Sequence, residues 1–397
     1  PEQSRILLRK LAPRLDNESN PELDKIGEKL GYLPLALDLV GRYLDENPDL
    51  SPADYVREVD KAGNALDQEA LKDWFDDDDF MATDQQRNVV ACFNLSWQQL
   101  GREKGETKVN FLARKVLRGC GYCAPNEPIP VKLLAQAFED DGDEHPPSVR
   151  AALRRLLEVG LLRQPQQGQV GPTIHPLLAE YARLKDEEGD ESTLGVMADA
   201  LAKLSNRVKQ TGLPQEFEVW WGHIEVMSQM AENAGNEHAG NLWNNLGYHL
   251  HDIAEYGGAR AAYERALVMD EAIFGTIHPK VAIRLNDLGS VLYDMGDYVG
   301  AQKAYERALR IDEVVLSPYH PNIALRVNNL GGVLHKLGDY VGAKSAYERA
   351  LAIDEAVFGK QHPNVARDVN NLGAVLRALG NHAGAKSAYE WALAIDE

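Results

Sequence analysis

The chain has 397 residues, room for two to four domains, and 42 Lys+Arg against 61 Asp+Glu give it a formal net charge of −19. That surplus repels phosphate backbones and removes nucleic acid as a default partner. Ordinary hydrophobic content (44%) excludes a disordered chain, three cysteines exclude a disulfide framework, and no apolar run is long enough to span a membrane or act as a signal peptide. A cytoplasmic, membrane-free protein is expected, and a start at Pro1 without Met reads as a piece of something longer.

In chain order, residues 1–62 are predicted to be a helical subdomain. Pro21 opens a helix carrying Leu23, Ile26 and Leu30, and Pro34 ends that run and orients the next one. An acidic linker, 63–85, contains Asp73, Asp76, Asp77, Asp78 and Asp79. Residues 86–185 then give the segment Phe93 to Leu100 and three helices, at about 109–118, 129–138 and from 149. A short β-ribbon of 161–163 with 170–174 comes next, turning through Pro165, Gln166, Gln167 and Gly168, and the order is that of a winged helix. Its third helix carries Arg150, Arg154 and Arg155, and the segment is net +4, so a DNA-binding role is an alternative. Cys120 and Cys123 form a lone C-x-x-C after a helix C-terminus and are expected to pack, with no metal or redox role.

The segment Gly31 to Leu37 (Gly-Tyr-Leu-Pro-Leu-Ala-Leu) resembles the G-L-P-L-A-L motif of the NB-ARC (STAND) signalling ATPases, bacterial regulators included, with one extra residue between Gly31 and Pro34. In that family the helical subdomain and winged helix come after a nucleotide-binding sheet. The resemblance implies that Pro34 packs on adenine. It also implies that His175, matching the histidine of the Met-His-Asp motif but followed by Pro176 where the family has Asp, contacts the β-phosphate of ADP. No G-x-x-x-x-G-K-S/T occurs in the chain, so it is not expected to be an ATPase by itself. ADP or ATP would bind only in the full-length protein, against the chain's own nucleotide-binding domain, with self-association on activation a further expectation from the family.

A second acidic linker, 186–192, leads to two amphipathic helices in 193–240, read as a degenerate repeat that caps the array beyond it. From 241 to 397 three strings recur every 42 residues. They are Asn-x-Leu-Gly (Asn244, Asn286, Asn328, Asn370), Ala-Tyr-Glu (Tyr263, Tyr305, Tyr347, Tyr389) and His-Pro (His278, His320, His362). Helical spacing on either side of a Gly-Asp stop makes each unit a helix pair. The four units resemble tetratricopeptide repeats, in the longer variant found in kinesin light chains. The predicted fold is thus mainly α: helical subdomain, winged-helix domain, then an α-solenoid of repeats.

The family exposes the first helix of each unit along a concave groove. Asn244, Asn286, Asn328 and Asn370 are expected to stack there as an amide ladder for an extended peptide. His251, Tyr293, His335 and Arg377 vary beside it while the scaffold repeats. A peptide or protein ligand in the groove is the predicted partner, coupled to the nucleotide site as a signalling switch; the alternative is a scaffold without a switch.

Overall fold

The computed structural model describes residues 1–64, 84–101, 107–139, 148–164, 170–186, 192–211 and 217–396. The acidic run at 73–79, the ribbon turn at 165–168 and residues 187–191 of the second linker lie outside the described residues. The regular structure described is helical. In chain order the helices are α1 (Glu2–Leu11), α2 (Asn20–Lys29), α3 (Pro34–Glu46), α4 (Pro52–Asn64), α5 (Asp84–Gln98), α6 (Lys108–Cys120), α7 (Val131–Phe138), α8 (Val149–Glu158), α9 (Pro176–Leu184), α10 (Thr193–Thr211) and α11 (Trp221–Asn233). The four repeat pairs are α12 (Ala239–Asp252) with α13 (Tyr256–Phe274), α14 (Pro279–Asp294) with α15 (Tyr298–Val315), α16 (Pro321–Leu337) with α17 (Tyr340–Phe358), and α18 (Pro363–Ala378) with α19 (His382–Asp396). Two compact units result: Pro1–Leu204 with Glu218–Met230, and Ser205–Phe217 with Ala231–Glu397. The helices predicted as a cap, α10 and α11, are divided between them.

In the first unit the extra residue before Pro34 has a defined place. Gly31 and Tyr32 both take positive φ (58° and 57°), and Tyr32 N–H closes α2 onto Gly27 O at 2.8 Å. Pro34 then opens α3, where a missing N–H costs nothing. The far end of α3 is held by Arg14, whose guanidinium donates to the carbonyls of Leu44 (2.8 Å), Asn47 (3.1 Å) and Leu50 (2.7 Å). α3 also closes α8, through Arg42 donating to Leu157 O at 3.0 Å.

The predicted β-ribbon is reduced to one antiparallel bridge, Arg163 with Thr173 (2.9 and 3.1 Å). The reason lies in where the other backbone groups go. Pro172 O accepts from Ile129 and Ile174 O from Asn126, each at 2.8 Å, so this stretch is also bonded to the segment before α7. Cys120 and Cys123 are buried, and burial pushes the Cys123 thiol up to about 12, which leaves it inert.

In the repeats the recurring strings have a common physical cause. Gly247, Gly289, Gly331 and Gly373 let the Tyr of the partner helix lie on the backbone; a Cβ on Gly289 would sit 2.8 Å from Tyr305 Cε1. Gly296, Gly338 and Gly380 take the positive φ of the turn, and Asp297 and Asp339 then cap the second helix by accepting from Gly300 and Gly342 N–H at 2.9 Å. Each His-Pro is an N-cap followed by a first-turn proline, with His278, His320 and His362 Nδ1 accepting from the backbone N–H two residues on. Leu267, Leu309 and Leu351 pack each pair onto the next.

Candidate functional site

The predicted groove residues fall on the same turn of α12, α14, α16 and α18, but their amides are already partly engaged. Asn329 donates to Asn286 Oδ1 and Asn371 to Asn328 Oδ1, each at 2.9 Å, so the ladder runs between repeats. At the first step the donor's place is taken by Asp287. A carboxylate cannot donate, and Asn244 Oδ1 is left buried without a partner. Asn244 is 2% exposed, whereas Asn370 is exposed to solvent. Asn328 is buried as well and Asn286 donates to Asp287 at 3.2 Å, so a peptide backbone would meet chiefly Asn370 and little of Asn244 or Asn328.

Variation beside the ladder has a second explanation. His251 Nε2 lies 2.7 Å from Asp294 Oδ2 of the next repeat, and Lys336 Nζ stands 6.0 Å from the ring centroid of Tyr293. The residues at these steps match their neighbours across each joint. The third joint pairs His335 with the register of Ala378, which offers no charge, and Arg377 is exposed. An aromatic row lines the edge, with His251 on Tyr256, Tyr293 on Tyr298 and His335 on Tyr340, at centroid distances of 5.4–5.7 Å.

In the first unit Pro34 and His175, 141 positions apart, line one cavity of about 190 Å³, with Leu33, Leu35, Ala36, Val89, Arg163 and Leu177. The first turns of α3 and α9 both border it. His175 Nδ1 accepts from Leu177 N–H at 3.2 Å. Burial, and then the Arg163 charge, hold its pKa below the usual imidazole value, so the ring is neutral near pH 7 and its Nε2 carries the proton. Arg163 was missed from the sequence. Its only signal was register, since the bridge to Thr173 sets it beside His175.

The arginines proposed for DNA are not equivalent. Arg155 forms a two-point pair with Glu46 (2.5 and 3.1 Å) inside the unit, which removes it from any base-reading face, while Arg150 and Arg154 are exposed. Among the described residues no three His, Cys, Asp or Glu are grouped to hold a metal ion, and no helix is long and apolar enough to cross a membrane.

Comparison with known proteins bears on the second unit. The tetratricopeptide-repeat family profile matches residues 238–314 and 322–397. No curated protein matches the chain. Similar solved structures include the nearly identical TPR-like repeats of a kinesin light chain from Podospora anserina (17% identity, TM-score 0.43, covering 50% of this chain and 94% of that one). Another is BtubC (BKLC) from P. vanneervenii (21%, TM-score 0.45, 52% and 82%), and a third is MamA 41-end from Desulfovibrio magneticus RS-1 (14%, TM-score 0.38, 50% and 94%). Residues 238–314 and 322–397 are tetratricopeptide repeats.

Proposed function

We propose that the chain is a protein-interaction module whose repeat array captures an extended segment of a partner protein along α12, α14, α16 and α18. The observation that carries this reading is the row of first-helix amides flanked by an aromatic edge, on a scaffold whose paired helices are held together by Gly–Tyr contacts. Selecting peptides from a random library on the immobilised chain and mapping their footprint by hydrogen exchange tests it. Protection on α14, α16 and α18, lost in the Asn286→Ala, Asn328→Ala double variant, is expected. A footprint confined to α13, α15 and α17 refutes the groove.

A second, finer reading adds a nucleotide-coupled switch to that module. It is favoured by one observation, the shared cavity of Pro34, Arg163 and His175. Two helix starts border it, a neutral imidazole offers an N–H, a guanidinium supplies positive charge, and apolar side chains flank them. Such a cavity suits an anion joined to a flat apolar group, as in ADP, with the remaining contacts coming from the protein's own nucleotide-binding domain. ADP titrated into the full-length protein should bind more weakly in both His175→Ala and Arg163→Ala. Unchanged affinity in both leaves the module as a scaffold.

A further inference from the structure

The joints between repeat pairs hold buried charges, and the last joint breaks their pattern. α13, α15 and α17 carry Asp270, Asp312 and Asp354 at the same register, 42 residues apart. Arg284 of α14 meets the first at 2.8 Å and Arg326 of α16 meets the second at 3.2 Å. At the corresponding step of α18 stands Asp368. Asp354 and Asp368 are 1% and 0% exposed and face each other within reach of a shared hydrogen bond.

Only Arg367, one position earlier and 36% exposed, serves both. Its Nη2 lies 2.9 Å from Asp368 Oδ1 and 3.3 Å from Asp354 Oδ2, while Asp354 Oδ1 and Asp368 Oδ2 have no hydrogen-bond partner. Among the other described neighbours the His362 imidazole at the start of α18 also pulls the Asp354 pKa down, and no second arginine or lysine acts on the pair. α17 adds Tyr347, and α18 is capped by His362, whose Nδ1 is occupied by Asn364 N–H. α19 lays Tyr389 on Gly373 and pairs Lys386 with Glu390 on its exposed face, and on α16 Asn328 Oδ1 accepts from Asn371. Two buried carboxylates facing one half-exposed guanidinium are short of one positive charge, and a shared proton supplies it.

We infer that the α17–α18 joint is a proton-operated hinge: one proton shared by Asp354 and Asp368 locks the fourth helix pair onto the third, and its loss loosens that pair. Burial, with Asp354 reinforcing it against the pull of Arg367, raises the Asp368 pKa to about 7. A folded value above the unfolded one makes the stabilisation complete in acid and lost as pH rises through about 7. Asn370 and Arg377 ride on α18, so loosening would alter the C-terminal rungs of the groove. That consequence rests on the groove reading; the hinge itself does not.

The test is amide hydrogen exchange of the intact chain at about pH 6 and about pH 8, corrected for intrinsic rates. Opening of α18 and α19 should be roughly tenfold more frequent at the higher pH, with α14 and α15 unchanged. Asp368→Asn, close in shape and unable to titrate, should abolish the difference. Asp368→Arg, which restores the residue type of the first two joints, should abolish it as well. Retention of the difference in Asp368→Asn, or its absence from the wild type, overturns the hinge. A carboxyl-carbon titration of the wild type needs no variant: an aspartate titrating near neutrality is expected, and every aspartate titrating below about pH 5 overturns it.

Discussion

Replacing Arg326 by methionine removes the cation from the α15–α16 joint and leaves Asp312 in place. The two side chains are 4% and 1% exposed, and Nε lies 3.2 Å from Oδ2 without hydrogen-bond alignment. At an effective dielectric constant of about 20, unit charges at that separation attract by about 5 kcal/mol, while removing each ion from water costs several kcal/mol. The pKa directions show which effect wins. Asp312 is raised and Arg326 lowered, burial being the largest cause in both and mutual attraction the next. Attraction therefore does not offset desolvation, although losing one partner would be worse still. Arg326→Met alone should destabilise the array by about 3–5 kcal/mol, because it strands a buried carboxylate. Adding Asp312→Leu should recover most of that loss. Urea unfolding reads the difference as a change in midpoint at constant slope, and hydrogen exchange over α15 and α16 localises it, since repeat arrays open in parts. A double variant as unstable as the single one would refute the reasoning, since it would mean that packing around the Arg326 stem, and not the stranded charge, carried the cost.

The first repeat turn departs from its copies: Ala254 takes φ 63° where the others have Gly, and Glu255 gives no side-chain cap where they have Asp or Asn. Ala254→Gly with Glu255→Asp should raise stability by about 1–2 kcal/mol, measured as an increased melting temperature; no gain would mean that the turn is not strained. His223 is buried, accepts from Ala124 N–H at Nδ1 (3.0 Å) and faces Pro128 O at Nε2 (3.1 Å), and burial lowers its pKa. Below the usual imidazole value of about 6.5 the unfolded chain gains a proton that the folded one resists, so stability is full above that pH and falls as pH drops through it. His223→Gln should start lower and lack this part of the acid loss; an acid limb like that of the wild type would count against it. Gly289→Val puts a branched side chain against Tyr305 and should cost about 1–3 kcal/mol by thermal unfolding, whereas a neutral result would show that the Tyr305 ring can move aside.

The 42-residue period was legible because it is written in residues with one physical job each: Gly beneath a Tyr ring, Asp at an N-cap, His-Pro at a helix start. These need no tertiary knowledge to locate. The ribbon was harder to read. Its turn and its place after three helices were visible, but the competing hydrogen bonds from Asn126 and Ile129 come from a segment more than 40 positions away. The same limit applies to Arg163, which is unremarkable by composition and gains meaning only from the register of a one-rung bridge. Pro34 and His175 could be named in advance through family resemblance; that both line one cavity is a statement about packing that neither motif contains.

A repeat protein also provides its own internal comparison, and the departures from it are informative at buried positions. Asp287 departs from Asn and orphans the Asn244 oxygen. Asp368 departs from Arg and meets another buried carboxyl. Each breaks the local chemistry that its copies satisfy. By contrast, variation at the half-buried step of Tyr293 and the exposed step of Asp294 is largely answered by the neighbouring repeat. Exposed differences between repeats are thus a weak guide to a binding surface, because adjacent repeats can absorb them pairwise. A buried difference cannot be absorbed by solvent, so it costs stability unless a proton, a ligand or a movement compensates it, and such positions are where regulation of the array should be sought.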